Sequence, residues 1–163
     1  MKSIRDLYKI GKGPSSSHTM GPARAAEIFK SENPDAERYE VVLYGSLAKT
    51  GVGHGTDRVL KETLGENRTE IVFNSEDPAD LPHPNTMDFI AYKGTEEIQR
   101  MRVMSVGGGD IVIEGEPADE NADVYPEGSF AEITQFCRWR YITLPEYVEL
   151  NEGPEIWDFL KTI

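Results

Sequence analysis

Apolar and polar positions follow different periods along the chain, and these periods predict its secondary structure. Segments rich in β-branched and aromatic residues predict five strands, at residues 39–46, 70–74, 88–92, 99–106 and 111–114. Apolar residues at helical spacing predict helices at residues 4–10, 23–30, 58–64, 129–139, from 144 onward and over 154–163. Strands and helices alternate at first, and the strands then follow one another. This order favours an α+β fold, a mixed sheet of four or five strands with helices packed on it.

Several helix ends carry residues that cap or stop a helix. Pro22 suits the first helical position of the second helix, and Ser17 or Thr19 can cap that helix. Gly65 is placed to end the third helix. The segment that begins at Ser129 matches a capping box, so we expect the fourth helix to start there.

Composition limits the class of protein. The 163 residues, of which 38% are hydrophobic, can bury one core, so we expect one compact domain. Twenty-nine acidic against 17 basic residues give a formal charge of −12, which disfavours binding to nucleic acid or to a membrane surface. The N-terminus lacks the layout of a signal peptide, and no apolar segment approaches the roughly 20 residues of a membrane span. We therefore expect a cytoplasmic protein.

Cys137 is the only cysteine, which excludes a disulfide within the chain. One cysteine cannot form the ligand set of a zinc or iron–sulfur site, so we expect no metal site in this chain. Cys137 follows the apolar segment 130–136, whose pattern predicts a buried structural thiol.

The segment 13–22, GPSSSHTMGP, combines hydroxyl groups, backbone amides and an imidazole in a turn that leads into a helix. The free amides at a helix N-terminus attract carboxylate or phosphate groups. This serine turn, residues 13–22, is therefore a candidate anion site. The alternative is a solvated loop whose serines only cap the helix.

The three histidines, His18, His54 and His83, all lie in segments rich in glycine, proline, serine or threonine, which predict loops. Rigid folds often present functional residues on loops. His54 also leads into the helix that Thr56 or Asp57 can cap. The alternative is that these histidines are structural and donate to backbone carbonyls that hold the loops together.

If His18, His54 and the amide of Asn85 converge, the site has two proton carriers and two helix starts that attract anions. Such a site suits a small polar carboxylate, such as an amino acid or a hydroxy acid. A neutral imidazole, with an ordinary pKa of ~6.5, can take a proton next to a carboxylate if an electrophile assists. A serine hydrolase is disfavoured because Ser17 and His18 are sequence neighbours and no GxSxG segment exists. Nucleotide binding is disfavoured because the glycine triplet lacks a P-loop lysine.

Four motifs in order resemble the β domain of the bacterial iron–sulfur-dependent L-serine dehydratases. They are the turn GPSSSHTMGP at 13–22, YGS at 44–46 with GHGTD at 53–57, HPNTM at 83–87, and SVGGG at 105–109. The resemblance runs from about residue 4 to 113, with a looser continuation. It implies conversion of L-serine to pyruvate and ammonia with a [4Fe-4S] cluster and without pyridoxal phosphate. The cluster would act as a Lewis acid on the leaving hydroxyl and would be held by an α domain.

The resemblance also implies roles for residues of this chain. His54 would be the base that removes the α-proton, with Thr56 and Asp57 orienting it. The residues that would bind the substrate or line its cleft are Ser15, Ser16, Ser17, His18, Thr19, His83 and Asn85.

The chain departs from the complete enzyme because it has neither the cluster cysteines nor an α domain. The resemblance therefore implies a β domain at 1–143 and a helical connection at 144–163 toward a missing α domain, or a separate β subunit. The implied partners are L-serine, the α domain or subunit, and further copies of the chain. An apolar patch around Tyr147, Trp157 and Phe159 is expected to meet a partner.

A second hypothesis is a non-catalytic regulatory module. The family's β domain resembles the allosteric substrate-binding domain of some D-3-phosphoglycerate dehydrogenases, which senses anionic effectors. In this chain the serine turn would then bind serine or another small carboxylate anion. Preference for L-serine over L-threonine, which differ by one methyl group, is open at this point.

Overall fold

The computed structural model describes residues 1–8, 11, 13, 15–76, 78, 80–117 and 123–163. Within these residues the chain forms seven α-helices, five strands and a 3₁₀ helix at Glu66–Arg68. The helices are α1 (Ile4–Leu7), α2 (Met20–Glu32), α3 (Gly45–His54), α4 (Thr56–Leu64), α5 (Phe130–Arg140), α6 (Leu144–Glu152) and α7 (Ile156–Thr162). The strands are β1 (Arg38–Leu43), β2 (Thr69–Phe73), β3 (Thr86–Lys93), β4 (Glu96–Gly107) and β5 (Asp110–Ile113).

The chain divides into two compact units, where one domain was expected. The sheet unit spans Gly11–Asp119, and the helical unit joins Met1–Ile10 to Glu120–Ile163. In the helical unit the N-terminal amino group donates to the carbonyl of Tyr125, 124 positions along the chain. A local sequence pattern carries no signal for such a distant contact.

The sheet is mixed, with the strand order β2-β1-β3-β4-β5. β1 and β2 are parallel, and the other neighbours are antiparallel. A parallel pair needs a long crossover, which α3 and α4 provide here. The predicted α+β fold with a mixed sheet is therefore confirmed, whereas the likeness to the D-3-phosphoglycerate dehydrogenase domain stays a prediction.

One face of the sheet forms the main core with α2, α3 and α4. Phe29 of α2 is fully buried, and its ring lies 5.5 Å from that of Phe89 on β3. Leu47 of α3 and Leu60 of α4 are also fully buried. Burial of large apolar side chains is the main favourable contribution to folding, at about 25 cal/mol per Å².

Some predicted helix ends are confirmed, and two predicted helix starts are wrong. At α4 the N-cap is Gly55 and no side chain caps the helix, so the expected cap from Thr56 or Asp57 is absent. Gly65 ends α4 with φ +114°, and Ser129 forms both hydrogen bonds of a capping box at α5. α2 begins at Met20, so Pro22 occupies its third position instead of its first. Thr19 precedes α2 without a side-chain cap because its hydroxyl donates to the carbonyl of Ser15.

The segment around His54 differs most from the prediction. β1 ends at Leu43, and residues 45–54 form α3 instead of the end of a strand and a glycine-rich loop. Packing outweighs the low helix propensity of glycine here. Gly51 is buried, and a Cβ there would lie 3.4 Å from Phe73 and from Thr56.

The helical unit has a small core of its own around Tyr125, Ile133 and Tyr147. Tyr147 is only 1% exposed, so it does not belong to the expected apolar patch, whereas Trp157 and Phe159 are half-buried. Cys137 packs against this core and is half-buried, not fully buried as expected.

The predicted boundary at residue 143 lies within the helical unit, between α5 and α6, and a connection from 144–163 to a further domain stays a prediction. The first predicted helix, 4–10, is observed as α1 over Ile4–Leu7, and its residues 9 and 10 lie outside the described residues. Among the helices described, none has the length and apolar character needed to span a membrane.

Candidate active site

The serine turn precedes α2 and is held by its own backbone. The amides of His18 and Thr19 donate to the carbonyl of Ser15, and the amide of Gly21 donates to that of Ser16. Among the described residues, the amides of Ser16 and Ser17 have no partner. The turn thus leaves two of its described amides available to an anion, and residue 14 of the motif lies outside the described residues.

α3 places three polar side chains on one side of a helix. Ser46, Thr50 and His54 are spaced four residues apart, and residues at this spacing are neighbours on a helix surface. The Thr50 hydroxyl donates to the Ser46 carbonyl at 2.8 Å. This row of side chains faces the serine turn, because both Ser46 and Thr50 contact His18.

The structure brings His18 and His54 together. Their ring centroids are 4.6 Å apart, with an angle of 34° between the planes. His18 is buried, at 8% exposure, whereas His54 is half-buried at the end of α3. The two predicted proton carriers therefore share one site.

Both ring nitrogens of His18 have hydroxyl partners. Nδ1 lies 3.2 Å from Ser15 Oγ and 3.1 Å from Ser17 Oγ, and Nε2 lies 3.3 Å from Ser46 Oγ and 3.0 Å from Thr50 Oγ1. Burial lowers the pKa of His18, and the neighbouring charge of His54 lowers it further. The Ser46 backbone opposes this shift only in part. His18 is thus held neutral near pH 7.

His54 has a different arrangement. Its Nδ1 lies 2.9 Å from the Thr50 carbonyl, which can only accept, so Nδ1 carries the proton. In the neutral ring, Nε2 then has a free lone pair, and among the described residues it has no hydrogen-bond partner. An imidazole in this form can accept a proton from a ligand.

A cleft of about 430 Å³ lies along α3. Its lining includes Ser46 and Thr50 together with the cation of Lys49, and Leu81 and Pro84 close its other side. The cleft is large enough for a small amino acid.

Residues 3–67 match the family model described as serine dehydratase beta chain. The chain aligns with L-serine dehydratase 1 of Escherichia coli strain K12 at 33% identity over an alignment of 196 positions. The match covers 93% of this chain and 43% of the relative. The chain contains a serine dehydratase beta-chain domain.

Other relatives agree. The L-serine dehydratase of Mycobacterium tuberculosis strain CDC 1551 / Oshkosh is 33% identical over 194 residues, with 92% of this chain and 42% of the relative covered. The L-serine dehydratase of Streptomyces coelicolor is 48% identical over an alignment of 64 positions, and the match covers 36% of this chain and 14% of the relative. The chain thus spans less than half the length of the first two relatives.

Among the described residues of the beta-chain domain, no hydrogen bond joins Thr56 or Asp57 to His54, which the resemblance implied they orient. Thr56 is fully buried, and its hydroxyl donates to the carbonyl of His18 at 2.7 Å. In the part of the chain described, Asp57 has no hydrogen bond or ion pair. The orienting roles of these two residues stay predictions.

His83 and Asn85 form a separate group. The amide of Asn85 donates to Nδ1 of His83 at 3.0 Å, and the side-chain amide of Asn85 donates to the carbonyl of Ser105. Within the part of the chain that the structure describes, Asn85 Oδ1 and Ser105 Oγ are buried without a hydrogen-bond partner. Asn85 therefore contacts His83 and β4, and no hydrogen bond joins it to the histidine pair.

Sequence reasoning missed Thr50 and Lys49. The signal for Thr50 was its spacing from Ser46 and His54, which is informative only once the segment is recognised as a helix. Lys49 is found only through its place in the lining of the cleft. Within the described residues, no three histidine, cysteine, aspartate or glutamate side chains are grouped to hold a metal ion.

Proposed function

We propose that this chain is the β domain of an L-serine dehydratase, which deaminates L-serine to pyruvate and ammonia together with an iron–sulfur α domain. The observation that supports this most is the state of His54. Its Nδ1 donates to the carbonyl of Thr50, a residue that lines the cleft, and this leaves the Nε2 lone pair free. A base in this form is what removal of an α-proton requires.

The proposed step uses Nε2 of His54 to take the proton from the α-carbon of L-serine. The electron pair of that C–H bond forms a carbon–carbon double bond, and the bond from the β-carbon to oxygen breaks. The leaving hydroxyl takes up one proton and is released as water. The aminoacrylate that remains tautomerises to an imine, and water hydrolyses this imine to pyruvate and ammonia.

The serine turn is proposed to bind the substrate carboxylate. The free amides of Ser16 and Ser17 and the hydroxyls around His18 are hydrogen-bond donors in the turn that precedes α2. Partners of this kind suit a carboxylate near a helix N-terminus. Neutral His18 would then position the hydroxyls and leave the proton transfer to His54.

The [4Fe-4S] cluster is proposed to belong to the α domain. Such clusters are usually held by several cysteines, and this chain has one, so its own residues do not fit the group. In the α domain the cluster would supply Lewis-acid chemistry at the leaving hydroxyl. This chain alone is then inactive, and a cytoplasmic complex of several copies with the α domain is the proposed active form.

The test is pyruvate formation from L-serine by this chain alone and after anaerobic mixing with a cluster-loaded α partner. Activity is expected only in the mixture. His54→Gln should lower kcat by at least roughly a hundredfold, the lower range of general base catalysis. Cluster content and assembly should not change. Arg58→Gln, at an exposed residue of α4, is the matched control and should keep the rate.

A nearly normal rate in His54→Gln would reject the base assignment. Inactive mixtures with saturable binding of L-serine to the isolated chain would favour the regulatory module. Competition with L-threonine in the same binding assay measures the preference between the two amino acids, since one extra methyl group changes binding by only about 1–3 kcal/mol.

A further inference from the structure

We propose that Thr50 is a positioning residue that sets where the protons lie on both histidines of the site. Among the described residues of α3, Thr50 is the one that is within hydrogen-bond distance of both rings. Its hydroxyl lies 3.0 Å from Nε2 of His18, and its carbonyl lies 2.9 Å from Nδ1 of His54. The assignment of the imidazole protons rests on geometry alone, and the effect of Thr50 on catalysis rests on the proposed function.

The proton on His18 follows from counting hydrogens. A threonine hydroxyl has one hydrogen, and that of Thr50 is donated to the Ser46 carbonyl at 2.8 Å. Toward His18, Thr50 Oγ1 can therefore only accept, so Nε2 of His18 carries the proton. Nδ1 of neutral His18 is then an acceptor, and it takes its hydrogen from a hydroxyl of the serine turn.

This assignment orders the serine hydroxyls as well. Ser15 Oγ and Ser17 Oγ are 3.3 Å apart, and both lie within reach of Nδ1 of His18. One of them donates to Nδ1, and the other can donate to its neighbour or to a ligand. Thr50 thereby fixes the direction of a chain of hydrogen bonds that begins at the Ser46 carbonyl and ends in the serine turn.

The two contacts of Thr50 can be separated by mutation. The bond to His54 comes from the backbone carbonyl, which every residue at position 50 keeps. The bond to His18 comes from the hydroxyl, which valine lacks and serine keeps. Thr50→Val is also nearly isosteric and β-branched, so the helix backbone is not perturbed by a change of shape.

The first measurement is the tautomer of His18 in the full chain, read from its two imidazole ¹⁵N shifts by NMR at neutral pH. In the wild type and in Thr50→Ser we expect the proton on Nε2. In Thr50→Val, His18 should become a mixture of both tautomers, while His54 keeps its proton on Nδ1. Ser46→Ala removes the second hydroxyl, which lies 3.3 Å from Nε2, and should leave the His18 tautomer unchanged.

The second measurement is the steady-state kinetics with the α partner. Because the His54 contact survives, Thr50→Val should keep kcat within about twofold. Its KM for L-serine should rise roughly tenfold or more, as expected for misplaced binding groups. Thr50→Ser should restore KM.

An unchanged His18 tautomer in Thr50→Val, or a change produced by Ser46→Ala instead, would overturn the proposal. A fall in kcat with unchanged KM in Thr50→Val would show that Thr50 acts on proton transfer by His54, and it would overturn the claim that Thr50 acts on substrate binding. If the tautomer shifts as expected but no mixture deaminates serine, the proposed function fails while the positioning role of Thr50 stands.

Discussion

The hydroxyl of Thr56 donates a hydrogen bond of 2.7 Å to the backbone carbonyl of His18, 38 positions away in the chain. Both residues are buried. The bond joins the first residue of α4 to the serine turn, so the backbone of His18 is held at the point where α3 gives way to α4. His54 lies at that same point, as the last residue of α3. The bond therefore contributes to the short distance between the two imidazoles.

Thr56→Val should destabilise the protein and separate the two histidines. The change leaves the His18 carbonyl buried without its partner, which costs about 1–3 kcal/mol. Urea unfolding monitored by circular dichroism measures this loss as a lower midpoint with an unchanged slope. Thr56→Ser keeps the hydroxyl and is the control. Equal losses in Thr56→Val and Thr56→Ser would show that the methyl group, not the hydrogen bond, is what matters.

Gly21 and Ser105 are packed so closely that only glycine fits at position 21. A Cβ on Gly21 would overlap Ser105 Oγ, a buried atom with no hydrogen-bond partner among the described residues. Gly21→Ala should therefore cost about 1–3 kcal/mol through overpacking. Ser105→Ala should be neutral or stabilising, because a buried hydroxyl without a partner contributes nothing favourable.

The double variant tests the contact between the two residues. Adding Ser105→Ala to Gly21→Ala removes the overlapping oxygen, so part of the lost stability should return. The interaction energy of this cycle should be at least about 0.5 kcal/mol, the range found for residues in contact. Simple additivity of the two changes would show that the cost of Gly21→Ala comes from the start of α2 itself.

Much of the sheet unit was predictable because its signals are local. All five strands were predicted from β-branched and aromatic segments, and Gly65 marked the end of α4. In the helical unit, the capping box at Ser129 likewise depends on only four consecutive residues, and it is present as predicted. Such features require no knowledge of distant contacts.

The environment of His54 was not predictable in the same way. The low helix propensity of glycine favours a loop here, since each glycine in a helix costs roughly 0.8–1.0 kcal/mol relative to alanine. The segment has three glycines close together, at Gly51, Gly53 and Gly55. Two of them lie within α3 all the same, and burial of Leu47 and Gly51 against the core supports this helix. Without α3, the spacing that brings Thr50 to both histidines cannot be seen in the sequence.

Asp88 and Arg102 form an ion pair with unequal exposure. They are register partners on β3 and β4, and two hydrogen bonds of 2.7 and 2.8 Å join them. The side chain of Asp88 is 4% exposed and that of Arg102 is 35% exposed. Arg102→Met should therefore cost more, about 2–4 kcal/mol, because it leaves a buried carboxylate unpaired.

Asp88→Asn is the matched variant and should cost less, because the guanidinium that loses its partner reaches solvent. The amide can still accept the hydrogen bond that the Tyr44 hydroxyl now donates to Asp88. Chemical denaturation of both variants gives the two losses. A larger loss in Asp88→Asn than in Arg102→Met would contradict the assignment of the buried charge to Asp88.

The lowered pKa of His18 makes stability depend on pH in a definite direction. Burial is the largest cause of the shift, and the charge of His54 adds to it. Below the ordinary histidine pKa of about 6.5 the unfolded chain binds a proton at this residue more readily than the folded chain does. Stability should therefore fall as the pH drops from about 7 toward the folded pKa of His18, and it should recover as the pH rises. The carboxyls with shifted values, Glu97, Glu146 and Glu152, have lowered pKa values and titrate below this window.

His18→Gln should flatten the stability profile between about pH 5 and 7, because glutamine does not titrate there. In His54→Gln the neighbouring charge is absent, so the NMR titration midpoint of His18 should move upward. It should stay below about 6.5, because burial, the larger cause, remains. An unchanged midpoint in His54→Gln would mean that the two imidazoles do not interact at their ring distance of 4.6 Å. If the free energy of unfolding of His18→Gln varied with pH as steeply as that of the wild type, the pH dependence would arise from other groups.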